Sequence, residues 1–86
     1  MTHALKTWLR FFPDVAEGIK TFELRKDDRP YSVGDTVILQ EYDELKNEYT
    51  GNEAAFSIAY ILRDAQFFGL KEGYCILGIK EKESNY

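Results

Sequence analysis

Gly18-Ile19-Lys20-Thr21-Phe22-Glu23-Leu24-Arg25, with Val33-Gly34-Asp35 shortly after it, is the stretch on which the reading of this chain turns. Phe22 and Leu24 alternate with Thr21, Glu23 and Arg25. A period of two marks a strand with one apolar and one charged face. The alternation predicts that Phe22 and Leu24 enter a core. Glu23 and Arg25, two positions apart, then project together from the opposite side of the sheet. Gly18 stands where the chain must leave a helix. Lys20 breaks the alternation, which places it in the turn before the strand. Taken alone, an acid and a base on an outer face are an ordinary solvated pair, worth under ~1 kcal/mol.

The spacing Gly18-x-Lys20-x-x-Glu23-x-Arg25 resembles the G-x-K-x-x-E-x-R signature of ASCH domains, a branch of the PUA-like small β-barrels. The surroundings are similar too: a charged loop, then Val33-Gly34-Asp35 leading into a hydrophobic strand. So are the opening His3-x-Leu5-Lys6 and the closing Gly69-Leu70-x-x-Gly73-Tyr74, and together these features resemble a subfamily of short ASCH-like proteins common in phages and bacteria. The resemblance covers nearly the whole chain. It implies an α+β, mainly β fold: a PUA-like barrel of five to six strands with one or two short helices. It also implies a cleft between the signature strand and the preceding helix, with His3 and Lys6 on a strand lining the same cleft as Arg25.

Eighty-six residues make a single domain, 1–86, with a tail over 81–86 expected to fray. Six Tyr and six Phe can furnish its core. One cysteine, Cys75, excludes an internal disulfide and a cysteine-based zinc site, and its apolar strand predicts burial. No apolar run reaches the ~20 residues of a membrane helix, and Lys6 and Arg10 interrupt any leader-like segment. The simple expectation is a cytoplasmic protein without cofactor or metal.

The net charge of -4 argues against a generic, high-affinity nucleic-acid binder. Its distribution is uneven. Residues 1–26 carry a balance of +2, whereas residues 41–53 carry -4 through Glu41, Asp43, Glu44, Glu48 and Glu53 against Lys46. One end is suited to phosphate and the other repels it.

Thr2 to Lys6 reads as a short strand with Ala4 inward. Pro13 suits the first turn of a helix near Pro13–Glu17, with Phe12, Val15 and Ala16 on its buried face. Trp8 and Phe11 belong to the core or to the cleft rim, and the size of their rings favours the core. Thr36 to Tyr42 is a central strand. Residues 43–52 form a loop or hairpin arm, and Ala54 to Leu62 the next strand. In that strand Phe56, Ile58, Tyr60 and Leu62 share one face, and the small residues of the other suggest a layer packed against it. Phe67 and Phe68 are expected to fold inward. Gly73 to Lys80 is the last strand, with Gly78 at a bulge or tight curve.

The leading functional expectation is a module for RNA or a nucleotide-like ligand. Lys20 and Arg25 would meet phosphate or a base edge, Glu23 would accept a base amino group or hold the cations, and Tyr31 or Trp8 would stack on a base. An alternative comes from small ASCH amidohydrolases, which remove acyl groups from cytidine nucleosides with a Lys, a Thr and a Glu. Lys20 matches the lysine, but Glu23 occupies the threonine position. Thr21 is adjacent, and Glu72 is a remote candidate for the acid. A third reading is a protein-interaction module using the acidic 41–53 arm.

Overall fold

The computed structural model describes residues 1–82. Five strands form one sheet: β1 (Thr2–Trp8), β2 (Phe22–Lys26), β3 (Thr36–Asp43), β4 (Glu48–Leu62) and β5 (Tyr74–Glu81). Their spatial order is β1-β3-β4-β5-β2. Strand makes up 52% of the described residues, and the sheet curls into a half-barrel. The expected mainly β fold with five strands is therefore present. One α-helix, α1 (Phe12–Ala16), and a short 3-10 turn over Gln66–Phe68 complete the regular structure. Glu81, expected to open a frayed tail over 81–86, instead closes β5; the rest of that expected tail, over 83–86, lies outside the described residues.

The core lies inside the curl. Leu5, Val37, Leu39, Ile58, Cys75, Leu77 and Ile79 reach it from the sheet, and Phe12 and Val15 cover it from α1. Gly18 follows the helix at φ 78°, and its amide bonds the Val15 carbonyl, closing the helix in a left-handed turn. Gly34, at φ 96°, makes the turn into β3 in the same way.

β1 is parallel to β3, and the other pairs are antiparallel. β1 and β2 are thus the two free edges of the sheet. They face one another across a seam closed by side chains rather than by a ladder. Arg25 donates from Nη2 to the Lys6 carbonyl at 2.6 Å, and Arg29 donates from Nη1 to the Ala4 carbonyl at 3.1 Å. Two arginines thereby occupy carbonyls that an edge strand would otherwise leave open for pairing.

Several expectations are corrected here. In β2 the period of two is right but the faces are reversed: Glu23 is only 3% exposed, while Phe22 and Leu24 are 49% and 57% exposed. The reason is electrostatic: Glu23 is held by two cations, and the residue that crosses the seam, Arg25, must share its face. In β1 it is His3, Leu5 and Thr7 that point inward, and Ala4 points out. Ala16 is exposed. Trp8 and Phe11 are half-exposed, and Phe67 and Phe68 stand almost fully in solvent. In β4 the register shifts between Ile58 and Tyr60, so Ile61 takes the inner position and Tyr60 turns outward. Gly78 lies opposite Tyr60, as its expected place at a bulge requires. Among the described residues no layer packs on the outer face of the sheet, where Ala55 and Ala59 are exposed. The 43–52 segment is a hairpin arm. Glu41, buried at its base, accepts from the Thr50 hydroxyl at 2.7 Å and from the Asn52 amide at 3.1 Å.

Candidate functional site

At the seam between β1 and β2, Glu23 lies within hydrogen-bond reach of two cations. Its Oε2 accepts from the Lys20 ammonium, and its Oε1 accepts from Arg25 Nη2 at 2.8 Å. Lys20 also donates to the Phe22 carbonyl. This local wrap follows from the sequence: Lys20 leaves the turn after Gly18 and reaches forward three residues to the strand's first inward carboxylate. Charge-assisted bonds of this kind are the strong ones, and they offset the cost of burying Glu23.

Arg25 is the more constrained cation. Nη2 meets Glu23, the Lys6 carbonyl and, at 3.4 Å, the Thr7 hydroxyl. Its Nε is buried without a hydrogen-bond partner. One side of the guanidinium is therefore committed to the protein, and a donor on its stem remains unspent. An unpaired buried donor carries a cost.

A hollow of about 460 Å³ opens over these groups. Trp8, Phe11, Phe22 and Leu24 form its apolar walls, with Lys20, Glu23 and Arg25 at the polar end. Lys20 Nζ lies 4.7 Å from the centre of the Phe22 ring and 5.8 Å from that of Phe11. Aromatic walls beside an Arg–Lys–Glu cluster suit a flat, partly apolar ligand that carries negative charge or hydrogen-bonding edges.

The predicted site residues do not all meet here. Lys20, Glu23 and Arg25 do. Lys6 contributes its backbone carbonyl, while its ammonium lies 4.0 Å above the Tyr42 ring. His3 is not in this cleft. It is buried next to Asp35, with Nε2 2.9 Å from Oδ2, and meets Tyr31 edge-on at 4.8 Å. Tyr31 is buried as well, which removes it as a stacking surface and pushes its hydroxyl pKa upward by desolvation. Asp35 also accepts from the Met1 ammonium at 3.1 Å and the Ser32 amide at 3.0 Å. The His3 bond and that ammonium hold the Asp35 carboxyl at about 2. Asp35 thus has a structural role, tying the turn before β3 to His3 and the Met1 ammonium. Thr21 is exposed and lines a second depression with Gly18, Lys20 and Lys80, and Glu72 sits exposed in the loop before β5. Cys75 is buried, with its thiol pKa raised by that burial.

Sequence reasoning missed the walls of the hollow. Phe11, Phe22 and Leu24 read as core residues, and Thr7 gave no signal at all. Pro13 and the short α1 were the available hint, since a helix of five residues covers little of the seam. Among the described residues there is no group of three His, Cys, Asp or Glu side chains placed to hold a metal ion. No helix is long and apolar enough to cross a membrane.

Fold and site together define a small β half-barrel with a charged, aromatic-walled hollow where its sheet edges meet. The chain belongs to the family described as a domain of unknown function (DUF3850), whose model matches residues 2–79. A protein of Escherichia phage P2 described as "Uncharacterized 12.9 kDa protein in GpA 3'region" is 41% identical over 51 residues. That match spans 59% of this chain and 45% of the phage protein.

Proposed function

We propose that this chain is a cytoplasmic binding module for RNA or a nucleotide-like ligand, and that its motif and curled sheet mark it as a PUA-like ASCH domain. The observation that carries the reading is the convergence of Lys20 and Arg25 on buried Glu23 beneath half-exposed aromatic rings. A base would lie against Trp8 and Phe22, and a phosphate or base edge would meet Lys20 and the Arg25 guanidinium. Base–aromatic stacking contributes about 1–3 kcal/mol per base. Phosphate contact adds a component that weakens with salt. Glu23 is best placed to hold the two cations, since both of its oxygens already accept from them.

The hydrolase reading needs a hydroxyl next to Lys20. Among the described residues none is hydrogen-bonded to it: Lys20 donates to the Phe22 carbonyl and to Glu23, and Thr21, although it lines the neighbouring depression together with Lys20, makes no bond to the ammonium. Binding is therefore the better-supported reading. Calorimetric titration with nucleoside monophosphates and short RNA, at low and at physiological salt, tests it. Saturable binding that weakens with salt and is lost in the Lys20→Ala, Arg25→Ala double variant is expected. Binding that persists in that variant would reject the site.

A further inference from the structure

We propose that the outer face of the β2–β5–β4 sheet is a second, stacking site for single-stranded nucleic acid, continuous with the hollow. This rests on the reading of the hollow as a nucleotide site. The outward rows of this part of the sheet are fixed by register. Phe22 pairs with Gly78, which pairs with Tyr60, and Leu24 pairs with Ile76, which pairs with Leu62. Tyr60 is 66% exposed and Leu62 is 39% exposed, so the face is apolar and uncovered. Two strand spacings separate Phe22 from Tyr60, roughly 10 Å. An extended single strand covers that distance in one or two nucleotide steps.

Three observations select the occupant. First, Gly78 contributes no side chain to the outward row between Phe22 and Tyr60, and Tyr60 packs close beside it, its Cβ 3.4 Å from where a Gly78 Cβ would stand. A base laid across this row would rest on backbone at Gly78 and against the neighbouring rings. Second, Lys26 and Lys80 occupy the same outward alternation at the margins of this face, and in the rows where β2, β5 and β4 pair no acidic residue shares those positions. A patch with two lysines and no acid, on a chain of net charge -4, is complementary to a polyanion. Third, Phe22 and Leu24 belong both to this face and to the wall of the hollow. A strand whose first base enters the hollow passes over Phe22 toward Tyr60. Aromatic platforms with flanking cations are how proteins hold single strands without reading their sequence.

The test compares uridine monophosphate with a uridine hexanucleotide on the wild type, Tyr60→Ala and Tyr60→Phe, with denaturation curves confirming that each variant is folded. The hexanucleotide should bind more tightly than the monophosphate. Tyr60→Ala should weaken the hexanucleotide by about 5- to 100-fold, the effect of one lost stacking contact, and leave the monophosphate unchanged. Tyr60→Phe should retain binding. A hexanucleotide that binds no better than the monophosphate, or equally to wild type and Tyr60→Ala, overturns the outer site, leaves the hollow intact and points to a protein partner for this face. Hexanucleotide binding that depends on Tyr60 without monophosphate binding upholds the outer face and rejects the hollow. Failure of both ligands to bind rejects both.

Discussion

Of the buried carboxylates, Asp35 and Glu23 stand at different places in this half-barrel, and their surroundings differ. Asp35 is enclosed: His3, the Met1 ammonium and the Ser32 amide satisfy both oxygens, and Tyr31 packs against the imidazole. Glu23 is equally buried, but its two cations line an open hollow, and one of them keeps an unpartnered buried donor. A fully satisfied cluster holds a turn in place. A partly satisfied one beside an open, aromatic-walled space is poised for a ligand. The predictions below press on that contrast.

The largest effect is expected at Glu23. Glu23→Ala leaves Lys20 and Arg25 without their shared acceptor, and should lower stability by about 3 kcal/mol, as breaking a buried ion pair does. The midpoint of urea denaturation measures it. A loss within ~0.5 kcal/mol would show that Glu23 does not organise the seam.

Asp35 should act through pH. Its carboxyl is held at about 2 against the usual 3.8, so its folded form favours the charged state. That contribution is complete above the ordinary value and is lost as pH falls through about 2. The wild type should therefore lose stability from about pH 4 downward, and Asp35→Asn should lack this part of the acid dependence. Denaturation midpoints measured across that range give the slope directly, and identical slopes would contradict the closed cluster.

Phe22 gives a smaller effect of opposite significance. With half its surface already in water, Phe22→Ala should cost about 1 kcal/mol rather than the ~3–5 of a core phenylalanine. A core-sized loss would return Phe22 to the interior. Smallest of all, Arg29→Gln removes one exposed bond to the Ala4 carbonyl and should change stability by under ~1 kcal/mol.

The same contrast shows what the sequence reveals. Periodicity located all five strands, because β-branched and aromatic runs such as Thr36–Asp43 have few alternative folds. Gly18 and Gly34 marked their turns through the conformations that glycine tolerates. Lys20, Glu23 and Arg25 were legible as a group because a strand fixes their spacing. Which face of β2 turns inward was not legible. Alternation gives period without sign, and the sign here comes from Arg25 reaching a carbonyl 19 residues away in sequence. The same holds for Tyr60, whose outward turn depends on a register shift against β5. His3 was placed in the wrong cluster because its partner, Asp35, lies on a neighbouring element 32 residues along the chain. Trp8 and Phe11 read as core from their size, yet a chain with a five-residue helix has too little cover to bury every ring.

The single tryptophan offers the most direct test of the central claim. Trp8 lines the hollow and is half-exposed, so its fluorescence reports on occupancy. Titration with uridine monophosphate at low salt should produce a saturable change that is absent in Arg25→Ala and reduced at physiological salt. An unaltered signal, or the same change in Arg25→Ala, would contradict a ligand site built on the guanidinium and its buried carboxylate.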